Sequence, residues 1–211
     1  MTAINHHVPA NLLAAYAMGT LPQSFGLVVA THISMCADCR AEFEAHSAAG
    51  GVVLEDCAHV QVSHMLKTNL LDALDAPYTA APVHKRSGIF PGPTMAALKG
   101  KPPKWTSIGM GVRQSIVQSD KTGSARLLYI PPGQAVPDHS HGGLELTLVL
   151  QGSFHDVTGT FAAGDLEVAD QSLEHTPIAG EGMACICLAA TDAPLRFTTL
   201  MPRILQPFFR I

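Results

Sequence analysis

The sequence predicts an α + β protein in which a small helical domain is followed by an all-β domain. Apolar residues recur at helical spacing up to about residue 75, and short runs of β-forming residues follow Trp105. A proline-rich segment separates the two patterns. We therefore expect a helical domain at residues 1–76, a linker at residues 77–104 and a β domain at residues 105–211.

Four helices are expected in the first domain. The first two lie within residues 9–32, and the third runs from about residue 36 to residue 49, where two glycines provide a typical helix end. The fourth is expected over residues 59–74. Its apolar face is formed by Val62, Met65, Leu66, Leu70 and Leu74. Such a face more often packs into a core, but a domain this small can also keep it for a partner.

Residues 77–104 have the composition of a linker. The segment contains six prolines and five basic residues, and it contains no acidic residue. This composition is typical of a semi-extended, mobile chain. A short helix around residues 94–99 is the alternative.

The remainder of the chain alternates short apolar runs with Gly and Pro turns. Repeated short strands of this kind indicate a closed antiparallel barrel or a jelly roll. The predicted strands cover residues 111–118, 125–130, 144–150, 166–169, 184–189 and 195–200.

A group of Cys and His residues near the N-terminus has the spacing of metal ligands. Cys36 and Cys39 are three residues apart, and His32 precedes Cys36 by four, which places them on one helical face or around a helix start. Two thiolates and an imidazole fill three positions of a structural zinc site, which usually has four protein ligands. The alternative is three buried core side chains. Spacing leaves four candidates for the fourth ligand: His6, His7, Cys57 and His59.

A second group lies in the predicted β domain. Side chains alternate along a strand, so His139, His141 and Glu145 point to the same face. If that face is the barrel interior, two imidazoles and a carboxylate converge there. The alternative is a pair of surface histidines in a loop.

The spacing of this second group, between Gly133 and Gly152, resembles the first metal motif of cupin barrels. The second cupin motif is degraded, but Gly164 stands at its start and His175 falls at its ligand position. Three imidazoles and one carboxylate suit Zn, Mn, Fe, Co or Ni, so the donor types do not identify the metal.

Cys185 and Cys187 alternate on a predicted strand and therefore share a face. A disulfide between residues two apart would be strained, so small buried side chains are the favoured interpretation. A redox-sensitive pair close to the metal is the alternative.

Charge and composition exclude several classes of protein. Residues 1–76 contain two basic and seven acidic side chains, which argues against direct contact with nucleic acid but suits a basic protein surface. The longest apolar run, residues 25–30, is too short to span a bilayer, and the N-terminal residues do not have the pattern that predicts a signal peptide. Five cysteines without a disulfide-like spacing suit a reducing compartment, so we expect a cytoplasmic protein.

The two groups of ligands, in this order, resemble the ChrR-type zinc-binding anti-sigma factors over essentially the whole chain. The resemblance is carried further by residues 6–8, 14–17, 27–32, 111–114, 144–152 and 206–211. It implies zinc ligation by His7, His32, Cys36 and Cys39 and ligation of a divalent transition metal by His139, His141, Glu145 and His175.

The same resemblance implies a function. An extracytoplasmic-function sigma factor would be held inactive by the helical zinc domain and released on oxidative stress, with singlet oxygen or organic hydroperoxides as signals. The cupin domain would be the sensor, with a small ligand or reactive species as its stimulus, and the protein would not be an enzyme.

Two other functions are compatible with parts of the sequence. One is a cupin metalloenzyme, of the dioxygenase or isomerase type, with an appended zinc module. The helical Cys/His domain argues against it, because an enzyme for small molecules does not need such a domain. The other is a DNA-binding transcription factor, which the acidic N-terminal region argues against.

Overall fold

The computed structural model describes residues 3–75, 77, 80, 82–136, 139–193 and 195–197, with only the backbone for residues 139–141 and 195–197. The helices are α1 (Ala10–Ala17), α2 (Gln23–Ile33), α3 (Ala37–Glu55), α4 (His64–Leu74) and α5 (Gly92–Ala97). Within the described residues, no helix is both long enough and apolar enough to cross a membrane.

The strands follow the helices in the chain. They are β1 (Thr106–Gly109), β2 (Val112–Asp120), β3 (Gly123–Ile130), β4 (His139–His141), β5 (Glu145–Gln151), β6 (Ser153–His155), β7 (Thr160–Ala162), β8 (Leu166–Ala169), β9 (Glu174–His175), β10 (Ile178–Ala179), β11 (Cys185–Thr191) and β12 (Leu195–Phe197). The last predicted strand is observed as β12, and residues 198–200 and 206–211 lie outside the described residues.

The strands form the predicted cupin-like β domain. A six-stranded sheet has the order β1-β2-β3-β11-β5-β8, and two three-stranded sheets have the orders β10-β6-β7 and β12-β4-β9. All of these pairings are antiparallel. A core cluster inside the β domain contains Val112, Ile130, Val149, Phe154, Phe161, Ala179, Cys185 and Cys187. The fold class predicted from the sequence is confirmed.

Two predicted helix boundaries are wrong. Helix α3 continues through Gly50 and Gly51 to Glu55, since a glycine inside a helix costs only about 1 kcal/mol relative to alanine and does not by itself end it. Helix α4 begins at His64 rather than at residue 59, because the Ser63 hydroxyl accepts a hydrogen bond from the Leu66 amide and caps the helix there.

The helices and the main sheet share one apolar core. Helix α2 packs across strands β3, β5 and β11. The leucines that point away from the β-domain interior on β5, namely Leu146, Leu148 and Leu150, lie in the same cluster as Leu13, Phe25 and Val28 of the helices. The outward face of the sheet is therefore covered by helices, and the two predicted domains are packed against each other.

Part of the predicted linker is folded into this arrangement. Helix α5 contacts α2, and Thr94 and Met95 are buried. The hydroxyls of Thr94 and Thr31 are 3.2 Å apart in the buried contact between the two helices. Pro93 lies in the first turn of α5, where its fixed φ favours helix formation. A mobile, semi-extended chain is thus the wrong description of residues 92–97.

Replacing the fully buried Leu148 by Ala is expected to lower the free energy of unfolding by about 2–5 kcal/mol, because it leaves a cavity in the shared core. Helical and β signals in circular dichroism should then shift together in a thermal melt. Ile116→Ala, at a partly exposed position of β2, is the control and should cost no more than about 1 kcal/mol. Helices that melt well before the strands would contradict a shared core.

Candidate metal centres and an exposed helix face

The turn between α2 and α3 presents three of the predicted N-terminal ligands. His32 lies in the last turn of α2, Cys36 is the N-cap residue of α3, and Cys39 lies in the first turn of α3. The amides of Met35 and Cys36 both donate to the carbonyl of His32 at 2.8 Å, which fixes the turn. The fourth member, His7, comes from the segment that precedes α1.

The donor atoms of these four residues converge. His32 Nε2 is 3.3 Å from Cys39 Sγ, and His7 Nδ1 is 3.4 Å from the sulfur atoms of both Cys36 and Cys39. All four donor atoms lie within 4.8 Å of one another. Ligand atoms around a tetrahedral ion with ordinary Zn–S and Zn–N bonds stand about 3.3–3.8 Å apart, so the four side chains fit such an ion.

The structure separates His7 from the other candidates for the fourth position. The His6 ring packs on Phe161, with ring centroids 4.4 Å apart, and its Nδ1 lies 3.5 Å from an Asp165 carboxylate oxygen. Cys57 and His59 are exposed. The grouping of His7 with His32 and the two cysteines is thus decided by the fold, where spacing alone left it open.

Burial keeps two members of the site, His32 and Cys39, uncharged when no metal is bound. Desolvation, assisted by the neighbouring His7, lowers the pKa of His32 to about 4, so its imidazole is neutral at pH 7 and able to act as a ligand. Burial raises the pKa of Cys39 to about 11. A metal ion at this site must therefore displace a thiol proton. The N-terminal end of α3 assists, because its partial positive charge favours a thiolate.

The second predicted group is only partly described. The backbones of β4 and β9 pair with His139 opposite His175, but the side chains of His139 and His141 lie outside the described residues. Glu145 begins β5, and its Oε1 accepts a hydrogen bond of 3.0 Å from Thr147. His175 is buried.

Two carboxylates that sequence analysis missed contact His175. Its Nδ1 is 2.5 Å from Asp156 Oδ2 and 3.5 Å from Glu167 Oε1. Two donors bound to one ion at about 2.1 Å would stand roughly 3 Å apart, so the 2.5 Å distance indicates a hydrogen bond rather than joint ligation. A carboxylate that accepts from Nδ1–H fixes the tautomer in which the Nε2 lone pair can bind a metal, which is a common arrangement for a metal-binding histidine.

Electrostatics supports this arrangement. Burial by itself would lower the pKa of His175, but the hydrogen bonds and charges of Glu167 and Asp156 outweigh it and raise the pKa to about 9. Burial opposes ionisation of Asp156, yet hydrogen bonds from Thr158 and His175 lower its pKa to about 2. A metal at Nε2 would compete with the second proton of this imidazole.

The sequence holds only weak signals for these carboxylates. Asp156 lies in the turn between β6 and β7, where it accepts hydrogen bonds from Thr158, so it resembles an ordinary turn residue. Glu167 interrupts the apolar strand β8 and is buried, and a charged residue inside an apolar run is the one signal that could have revealed it.

Cys185 and Cys187 share the interior face of β11, as predicted. Their sulfur atoms are 3.4 Å apart, and both side chains are buried in the interior core cluster. The hydrogen bond with Cys185 and burial raise the pKa of Cys187 well above its usual value, and the charges of Glu167 and Glu145 act in the same direction. The pair therefore lies near the carboxylates of the second group.

The apolar face predicted for the fourth helix is exposed. All residues of α4 are exposed to solvent, including Met65, Leu66, Leu70, Leu71 and Leu74. Val52, Val53 and Leu54 at the end of α3 are exposed as well. We call α4 with its apolar residues the α4 face. An exposed apolar surface of this extent on a folded chain is typical of a protein interaction site.

Comparison with known proteins defines the relatives of this chain. It is 51% identical to the anti-sigma-E factor ChrR of Cereibacter sphaeroides over 212 aligned residues, which cover 99% of each protein. The chain belongs to the ChrR family of anti-sigma factors. Residues 95–193 match the family described as the ChrR cupin-like domain. The crystal structure of Rhodobacter sphaeroides SigE in complex with the anti-sigma ChrR aligns with a TM-score of 0.81 and 49% identity, covering 90% of this chain and all of that chain.

Loading the Cys/His site of this ChrR family member with Zn²⁺ is expected to release protons, because thiolates are the ligands and Cys39 is protonated in the metal-free state. Zinc affinity should therefore rise with pH through the neutral range, which lies below the Cys39 pKa of about 11. Calorimetric titrations in buffers of different ionisation enthalpy measure the proton count. Cys39→Ser should reduce the count and Cys57→Ser, at an exposed position, should not. A pH-independent affinity would exclude a thiolate site.

Proposed function

We propose that this protein is an anti-sigma factor that sequesters an extracytoplasmic-function sigma factor through its helical region and releases it on oxidative stress. The observation that carries the proposal is the α4 face, an exposed apolar helix in a helical region that also contains a Cys/His cluster, in a chain of the ChrR family. The SigE–ChrR complex, whose anti-sigma chain this protein resembles over its full length, supports a sigma factor as the partner.

The chemistry of the helical region suits a basic, partly apolar partner. Residues 1–76 contain seven acidic and two basic side chains, and the α4 face supplies apolar area. Sigma-factor domains that contact DNA have basic surfaces, so an acidic partner with an apolar centre can cover them. Inhibition would then be steric, because the covered surfaces could no longer reach polymerase or promoter.

Zinc is the metal we assign to His7, His32, Cys36 and Cys39. Two thiolates and two imidazoles in a closed tetrahedral arrangement are typical of structural zinc. The ion would tie the α2–α3 turn to the segment before α1, and α3 itself buries only one side chain, that of Cys39. Its role would be structural, with no open position for chemistry.

The cupin domain is the proposed sensor. His139, His141, Glu145 and His175 would hold a divalent transition metal, with Asp156 and Glu167 orienting the imidazole of His175. A small ligand or reactive oxygen species acting there would be the signal. The protein would act in the cytoplasm as a regulator and not as an enzyme, since its helical region serves a partner rather than a substrate.

Replacing Leu70 on the α4 face by Glu is expected to weaken sigma-factor binding about 30-fold or more, because a charge is placed in the apolar centre of the interface. SigE serves as the probe partner, and the dissociation constant is measured by biolayer interferometry or calorimetry. Val157→Glu changes an exposed apolar residue of the β domain and should leave the dissociation constant unchanged. Equal affinity of both variants for SigE would refute docking on α4.

Two metal ions per chain are expected, one in each group of ligands. Elemental analysis of the intact chain measures them. Cys36→Ser should remove one ion and His175→Ala the other, because each variant deletes one ligand of a different site. The matched controls are Cys57→Ser and His64→Ala, at exposed positions outside both groups. Retention of both ions by either ligand variant would contradict its assigned site.

A further inference from the structure

The segment before α1 is attached to the β domain. We call residues 3–8 the N-terminal strap. The amide of Leu166 donates to the carbonyl of His6 at 3.1 Å, and the amides of Asn5 and His6 donate to Asp165 Oδ1 at 2.7 and 2.9 Å. These contacts join residues about 160 positions apart, and His7 is the next residue of the strap.

Both carboxylate oxygens of Asp165 accept hydrogen bonds in this contact. It is 1% exposed, Oδ1 accepts from the strap, and Oδ2 accepts the Ala162 amide at 2.8 Å. Burial would raise the pKa of this carboxyl, but the backbone amides of Ala162, His6 and Asn5 hold it below its usual value. The carboxylate therefore bridges the β7–β8 turn and the strap.

Close packing holds the strap against the same turn. The Ile4 side chain lies over Gly164, where a Cβ would stand 2.6 Å from Ile4 Cγ1. Gly164 also has a φ of +102°, so only glycine suits this position. The His6 ring packs on Phe161 of β7, which in turn stacks on Phe154 with ring centroids 4.9 Å apart. The strap has a defined place on the β domain.

Strand β8 connects Asp165, at the strap, with the second metal group. Asp165 immediately precedes β8, and Glu167 lies two residues further, about 6.6 Å along a strand. Glu167 Oε1 is 3.5 Å from His175 Nδ1. A contiguous route thus runs from His175 through Glu167, β8 and Asp165 to the strap and its His7.

We propose that Asp165 is a positioning residue that holds His7 in the Cys/His metal site and couples that site to the His175 group through the strap. This inference rests on the proposed function only in taking the Cys/His group as a zinc site. The coupling follows from the tolerance of metal coordination, in which ligand distances vary by about 0.2 Å. A displacement of β8 that moves Asp165 moves the strap, and His7 then leaves bonding distance of a zinc held by Cys36 and Cys39.

The direct test is the rate at which zinc passes from the full-length protein to a chromogenic chelator. Asp165→Asn should accelerate zinc loss about 10- to 100-fold, as substitutions behind metal ligands do. The amide cannot replace the carboxylate, because both oxygens accept N–H groups and one side of an amide is a donor. Asp120→Asn alters an exposed turn carboxylate and should leave the rate unchanged. A wild-type rate for Asp165→Asn would overturn the proposal.

A second variant covers the case in which Asp165→Asn does not fold, as judged by circular dichroism. Ile4→Ala removes the packing of the strap on Gly164 and leaves Asp165 intact. It should also accelerate zinc loss, by a smaller factor, with little change in melting temperature. An unchanged rate in this folded variant would count against the strap.

A double-mutant cycle separates coupling from a merely structural role. His175→Ala should accelerate zinc loss at least about 5-fold in the wild-type background, because β8 loses the contact of Glu167 with His175. The same substitution should have no further effect when Asp165→Asn is present. Equal effects in both backgrounds would overturn the coupling while leaving the zinc site intact. A wild-type protein without zinc at Cys36 would instead refute the proposed function, and the coupling with it.

Discussion

The packing of α2 on the outward leucines of β5 is the contact on which the rest of the structure depends. A strand with apolar side chains on both faces cannot leave one face in water without a large free-energy cost, so the main sheet needs a cover. The helices likewise require an apolar surface against which Phe25 and Val28 can be buried. Each region completes the other, and the shared core fixes where the helical region sits on the sheet.

This contact creates a structural connection between the two candidate metal groups. With α2 held on the sheet, its end at His32 and the strap meet the β7–β8 turn, and the Cys/His group forms at that junction. The backbone of Gly164 and the charge of Asp165 both act on the pKa of His32, opposing the larger effect of its burial. The same turn leads through Glu167 to His175. The proposed release of a partner from the helical surface, in response to a signal at the β domain, would require a junction of this kind.

The α4 face stands apart from the core, and this separation has a physical reason. The outward leucines of the sheet are buried by α2, and α1 packs on α3. The apolar side chains of these elements are therefore buried without any contribution from α4. Apolar residues at helical spacing predict an amphipathic helix, but they do not predict which surface packs against its apolar face. Sequence analysis therefore predicted the stripe but left open whether it packs into a core or binds a partner, whereas the structure shows Leu70 and Leu74 exposed.

The sequence by itself determined whatever depends on neighbours along the chain. His32, Cys36 and Cys39 lie within one junction between two helices, and alternation along β11 places Cys185 and Cys187 on one face, because period and spacing settle these contacts locally. Tertiary structure decided between His6 and His7, brought Asp156 and Glu167 to His175, and placed Asp165 under the strap. These contacts join residues up to 160 positions apart. Local patterns cannot specify them, because they arise only when the helices and the sheet bury their apolar faces against each other.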